Sequence, residues 1–244
     1  MSRLNTDSSW ANIAGRVSYE VATEKFVLFR REAQTGGRVL SIPVARPESG
    51  VVPLAEMTSR QLIRRAAVIE AVIDLIAEVG ADAVQMRDVA KRSGVALATV
   101  YRYFNSKDYL LAAALEDWQK RLTRRILAAR GATSDQDPLP GILDYLRRAQ
   151  RAFHRNPNMT ALMFQTTTST DPEARATIDQ MNRTNTELFD RLLEGVAAED
   201  VPNITFGLNA ALSNSLAGVL AGMMTLEESL SRVEWVARTL LADR

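Results

Sequence analysis

The residues best suited to chemistry in this 244-residue chain crowd into TVYRYFNSK, residues 99–107. Tyr101, Tyr103 and Phe104 fall within four positions, Arg102 separates the tyrosines, and Lys107 follows. Hydroxyls and cations in such a cluster suit phosphate, whose neutralisation dominates the affinity of proteins for DNA. On a helix, Val100 and Phe104 share an inward face, which leaves Thr99, Arg102 and Tyr103 outward or sideways and Tyr101 on the rim. Taken alone, Tyr101 and Tyr103 suit amphipathic packing at least as well. Lys107 carries a sharper hint. Ser106 is a good N-cap, and Asp108 suits the positive end of a helix dipole, but a lysine there does not. An external phosphate, held by helix-start amides and by Lys107, would resolve that conflict.

Other chemistries have little to work with. The chain has no cysteine and one histidine, His154. Disulfides, thiolate zinc sites and thiol catalysis are excluded, and a nucleophile–base pair or a histidine metal site would depend on that one residue. His154 reads as a polar residue near a helix end. No catalytic residue, metal site or cofactor is expected. The net charge is +1, so a nucleic-acid surface must be a local patch. Residues 58–107 hold eight Lys/Arg against five Asp/Glu, and Arg60, Arg64, Arg87, Arg102 and Lys107 can reach one surface. The opening residues lack the apolar run of a signal peptide, and no stretch of about 18 apolar residues occurs. The expectation is a cytoplasmic protein without a membrane partner.

The elements that must position these residues read as all-α. Thr58 and Gln61 make a capping-box pattern. Leu62, Ala66, Ile69, Ile73 and Ile76 then follow on one helical face, and Gly80 ends the helix. A short helix over QMRDVAKRS turns Met86, Val89 and Ala90 inward, Gly94 breaks it, and a second covers about Leu97 to Phe104. A longer helix runs from Lys107 to about Ala129, and GATSDQDP at 131–138 is a polar loop. Helices near 139–155, 159–168, 173–197, 203–224 and 226–242 complete a count of nine, with breaks at Pro157, Pro172 and Pro202. Residues 1–57 differ. A weak hairpin around Gly36-Gly37 is conceivable, but Pro43, Pro47 and Pro53 argue for a poorly ordered extension with too few apolar residues for a core. That abrupt change raises the expectation that translation begins near Val51 or Met57.

QMRDVAKRSGVALATVYRYF is a helix-turn-helix: Val89 and Ala90 allow close crossing, Gly94 permits the turn, and Val95 fills the gap. The segment VYRYFNSKDYLL resembles the signature of TetR-type transcriptional regulators, over about Leu62 to Leu122. The resemblance implies a homodimeric, ligand-released repressor on a palindromic double-stranded operator. Its DNA-binding domain would span residues 58–106, or to about 122 with the linking helix, and a ligand-binding and dimerisation domain residues 107–244. By motif position it assigns Thr99, Tyr101, Tyr103 and Lys107 to phosphate or base edges. Arg60, Gln85, Arg87, Leu97, Ala98 and Arg102 complete the expected DNA-facing set. Three positions depart from the pattern. Gln85 stands where a capping threonine is usual, Ala96 replaces a serine cap worth about 1 kcal/mol, and Leu97 replaces a cation, so readout there would be apolar, as to a thymine methyl. A narrower resemblance, to actinobacterial repressors of steroid catabolism, rests on AVQMRDVAKRSGVALATVYRYFNSK and on HRNP at 154–157. It implies a steroid-derived CoA thioester as effector.

In the second half, small residues dominate NITFGLNAALSNSLAGVLAGMM. Gly218 and Gly222 form G-x-x-x-G, which suits either core packing or a symmetric dimer; the dimer is the sharper reading. Its expected interface comprises Gly207, Ala211, Asn214, Gly218 and Gly222 with Leu230 and Val233 of the last helix. Trp118, Phe153, Met159, Met163, Phe164, Met181 and Phe189 suit the pocket of a small hydrophobic effector, and equally an ordinary core. Two rival functions remain on residues alone: a helix-turn-helix protein without a ligand, and an α-helical enzyme on an apolar substrate.

Overall fold

The computed structural model describes residues 52–128 and 137–242. Among them are nine α-helices and no strand. They are α1 (Ser59–Val79), α2 (Met86–Ser93), α3 (Leu97–Tyr103), α4 (Lys107–Ala128) and α5 (Leu139–Arg155), then α6 (Pro157–Thr166), α7 (Pro172–Leu192), α8 (Val201–Leu220) and α9 (Leu226–Leu240). All nine helices belong to one compact unit. The expected hairpin and Val51, one of the two expected translation starts, lie outside the described residues; Met57, the other, lies within them. Of the expected extension, residues 52–57 are described and are tied down: a 3-10 turn spans Leu54–Glu56, Met57 is buried, and the Val52 amide donates to the Arg102 carbonyl at 3.3 Å.

Local chemistry sets the helix ends. The Thr58 hydroxyl accepts from the Gln61 amide while Gln61 returns the bond at 2.7 Å, so the capping box forms. Gly94 closes α2 at φ 68°, a left-handed conformation that favours glycine. Prolines occupy the first turns of α5, α6, α7 and α8, where a missing N–H leaves no helical bond unmade. Thus Pro157 and Pro172 begin helices rather than precede them by a residue or more. Asp171 caps α7 through the Ala174 amide at 2.8 Å, and Thr225 with Glu228 makes a second capping box at α9.

Two apolar clusters organise the packing. The first joins α1, α2, α3 and the first half of α4 to Met159 and Leu162 of α6. The second joins Ile126, at the far end of α4, to α5, α7, α8 and α9. α4 therefore passes from one core into the other. The inward face of α1 lies further along than its spacing suggested. Leu62 and Ala66 are exposed, and the buried set is Val68, Ile69, Ala71, Val72, Leu75 and Ile76. The first turns of α1 reach beyond the helices that cover the rest of it.

Candidate nucleic-acid interface and adjoining cavity

The turn between α2 and α3 follows from small apolar contacts. Met86, Val89 and Ala90 are buried on α2, Val95 is buried in the turn, and Val100 and Phe104 have no exposed surface. Arg92 on α2 grips Glu78 on α1 with two bonds, 2.6 and 2.7 Å. This pairing holds the Glu78 carboxyl below its ordinary value and raises Arg92. Ala96 starts α3 with no side-chain cap, and Gln85 likewise gives α2 none. With the inner face anchored, Leu97, Ala98, Tyr101 and Arg102 project from α3 as exposed residues, Thr99 is half-buried, and Arg60, Arg64, Gln85 and Arg87 are exposed.

Two expected contacts come out differently. Tyr103 is fully buried, and its hydroxyl has no partner among the described residues. In this state it cannot touch a phosphate. It closes the base of α3, and the Arg102 guanidinium lies 5.8 Å from its ring centre. Neighbouring Phe104 stacks against Tyr109 at 5.3 Å and lies under the Arg65 guanidinium at 4.8 Å. Residue 103 points inward because α3 ends there: Phe104 has left the helical conformation, and the chain bends back over its last turn. Lys107 has an internal partner as well. Its ammonium donates to the Asp82 carbonyl at 2.7 Å, so the unfavourable placement at the start of α4 is offset within the chain.

That bond belongs to a set tying the helix-turn-helix to the helices behind it. The Gln165 amide donates to the Asp82 carboxylate at 2.8 Å. Asn158 donates to the Ala77 carbonyl at 3.1 Å, and Ser169 to the Asp108 carboxylate at 2.7 Å. On α4, Arg121 pairs with Glu70 of α1 and with Asp117 one turn back. The Glu70 hydrogen bond holds the Arg121 pKa above its ordinary value against the opposing effect of burial, with further support from the Asp117 charge.

Beside Arg121 lies a cavity of about 540 Å³ that is half open to solvent. Its walls are Ile73 of α1, then Trp118, Arg121, Leu122, Arg125 and Ile126 of α4, then Arg148, Ala152, Arg155 and Asn156 on the other side. Of the seven expected pocket residues only Trp118 lines it, with Phe153 edge-on behind it at 5.2 Å. Met159 is buried in the first core, against which Met163 and Met181 pack. Phe189 fills the second core, edge-on to Tyr145 at 5.8 Å, and Phe164 is half-buried away from the cavity. Apolar bulk alone does not mark the arginines. Their signal was position: Arg121 and Arg125, four apart, flank the Trp118, Leu122, Ile126 stripe.

The small-residue face of α8 also turns out to serve its own chain. A side-chain carbon at Gly207 would come within 2.8 Å of Leu240, and one at Gly218 within 3.5 Å of Met224. Ala211 and Leu230 are half-buried, Val233 is buried in the second core, and the Ser229 hydroxyl donates to the side-chain oxygen Oε1 of buried Gln150 at 2.8 Å. Gly222 is not on a helix face at all; at φ 69° it lies in the turn after α8. Of the expected interface only Asn214 and Gly222 remain exposed. The most exposed large apolar groups on this pair of helices and their turn are others: Phe206, 76% exposed, Met223, 79%, and Trp235, 68%.

Comparison with known proteins matches this arrangement. The family model for bacterial regulatory proteins, tetR family, matches residues 68–114, from the middle of α1 through the first turns of α4. A transcriptional repressor of Rhodococcus jostii named KstR is 30% identical over 210 residues, covering 86% of this chain and 96% of its own. The chain belongs to the TetR family. The KstR of Mycobacterium tuberculosis is 29% identical, over 84% of this chain and 94% of its own length. A crystal structure of a TetR regulator from Rhodococcus sp. RHA1 has 26% identity and a TM-score of 0.61, over 77% of this chain and 99% of that one. The TetR-family relatives are named transcriptional repressors, not enzymes, and the chain is a DNA-binding regulator of transcription. Among the described residues no helix is long and apolar enough to cross a membrane.

Proposed function

We propose that this protein is a cytoplasmic repressor that holds a palindromic operator as a homodimer and lets go when a small hydrophobic effector binds. The observation that carries the effector half is the position of the cavity. One wall is Ile73 on α1, the helix that bears the helix-turn-helix, and the opposite wall is α5. A ligand there touches α1 and α5 at once, so it has differential contacts to offer if those helices move apart. In this reading residues 58–106 read DNA, α4 links them to the rest, and residues 107–244 bind the effector and the second subunit.

For DNA, α3 presents Leu97, Ala98, Thr99, Tyr101 and Arg102, with Gln85 and Arg87 from α2 and Arg60 from α1. Lys107 joins them if its ammonium bridges the Asp82 carbonyl and a phosphate. Leu97 and Ala98 offer apolar contact to base edges, and the cations position the helix on the backbone. A reader of half-sites gains from a two-fold partner. Phe206, Met223 and Trp235 are apolar anchors of the kind found at the centre of such interfaces. The effector class is a steroid- or acyl-CoA thioester, supported by the resemblance to the KstR repressors and by the arginines that line the cavity. Footprinting on the promoter of the protein's own gene, with and without oleoyl-CoA and a steroid-CoA thioester, tests this. A two-fold protected site that either thioester clears supports the reading. Protection that neither removes at saturating concentration refutes the effector half.

A further inference from the structure

The cavity between α4 and α5 carries more positive charge than an apolar ligand requires. Arg121, Arg125, Arg148 and Arg155 line it beside Ile73 and Trp118. Two already have carboxylate partners: Arg148 meets both oxygens of Asp144 at 2.8 Å, and Arg121 pairs with Glu70 and Asp117. Arg125 and Arg155 are exposed and make no ion pair with the described residues. Solvated arginines on a cavity rim are ordinary in themselves. What sets this cluster apart is where Arg121 reaches. Glu70 belongs to α1, so one guanidinium both lines the cavity and fastens the helix-turn-helix to α4.

We propose that this cavity takes an acidic amphiphile, an apolar body ending in a carboxylate or phosphate, whose acidic group competes with Glu70 for the Arg121 guanidinium. The inference rests on the effector-release reading above and names the chemistry behind it. The apolar body lies on Ile73, Trp118, Leu122 and Ile126. The acidic group lies among Arg121, Arg125 and Arg155, whose planar forks match carboxylate and phosphate oxygens. An acid that takes Arg121 leaves Glu70 without its counter-ion and removes a tie between α1 and α4. Linkage makes the effect reciprocal: whatever weakens the Arg121–Glu70 pair favours the acid.

The test is calorimetric titration of the full chain with oleate, oleoyl-CoA and uncharged methyl oleate. Wild type is compared with Glu70→Gln and with an Arg125→Ala/Arg155→Ala double variant, each checked for native helicity. The wild type should bind at least one of the two acids about tenfold more tightly than the ester, the usual worth of a charge-assisted bond. Oleate against oleoyl-CoA separates a carboxylate from a phosphate source. Glu70→Gln should tighten the preferred acid by about threefold, in keeping with a partly exposed ion pair, and leave the ester unchanged. The double variant, remote from the α1 contact, should lower the acid toward the ester. Equal binding of acids and ester, or no binding of either acid, overturns the subsite. An unchanged acid affinity in Glu70→Gln overturns the competition. Acids that bind in this pattern yet never release the operator leave the subsite standing and refute the effector reading. Release by the ester alone does the reverse.

Discussion

The proposed second subunit would dock on Trp235 and Phe206. They expose 68% and 76% of their surfaces on α9 and α8. Aromatic side chains offer about 150–250 Å² each, so each leaves roughly 150 Å² to cover, worth at most about 4 kcal/mol at 25 cal/mol per Å². Association and side-chain ordering consume part of that. Truncating an anchor at the centre of an interface typically costs about 2 kcal/mol or more. A two-fold dimer contains each anchor twice, so Trp235→Ala should lose about 4 kcal/mol per dimer, nearly a thousandfold in dissociation constant. The protomer itself should hardly suffer, because Trp235 is mostly outside the core. Sedimentation velocity over a dilution series reads the equilibrium, and thermal melting checks the fold. Gly218→Ala is the control: its new carbon would meet Met224 of the same chain at 3.5 Å, ordinary contact, and should leave the dimer intact. A Trp235→Ala dimer as tight as wild type, or a wild type that sediments as a monomer at micromolar concentration, would refute the reasoning.

Three further outcomes follow from the geometry. Tyr103→Phe removes a buried hydroxyl with no partner among the described residues, so it should raise stability by about 1 kcal/mol and leave operator affinity unchanged in binding titrations; weakened binding would restore a DNA contact to that hydroxyl. Lys107→Ala should weaken binding to all sequences alike and lower the salt slope by about one if its ammonium meets a phosphate; an unchanged slope would leave it only the Asp82 carbonyl. Glu234 accepts from Arg147 at 2.6 Å and from Arg238, and these bonds, Arg147's first, hold its carboxyl below the ordinary 4.5. The lowered folded-state value means the α5–α9 tie contributes fully above about pH 4.5 and is lost as pH falls through the folded value. Acid unfolding curves of Glu234→Gln should therefore converge with those of wild type at low pH, and parallel curves would contradict that.

Much of the helix-turn-helix was legible in the sequence because short-range chemistry decides it. The capping box at Thr58, the left-handed turn at Gly94 and the inward pair Val100 and Phe104 each depend on neighbours within a few residues. Tyr103 was misplaced because its direction depends on α3 ending at once and the chain folding back, which spacing along a helix does not convey. The glycines of α8 were read as an external face because small residues show that something comes close without showing whose chain it is. Leu240 and Met224, far along or just beyond, are what come close. The cavity's arginines went unread for a similar reason: α4 and α5 bring Arg121 and Arg155 to one space only after the α4–α5 connection is made.

DNA binding by the α2–α3 surface is tested most directly by fluorescence anisotropy of a labelled fragment from the promoter of the protein's own gene, titrated with the full chain at several salt concentrations, beside a scrambled fragment. Binding to the promoter should be in the nanomolar range, at least about a thousandfold tighter than to the scrambled sequence, with affinity falling steeply as salt rises. Equal binding to both fragments, or none to either at low salt, would contradict it.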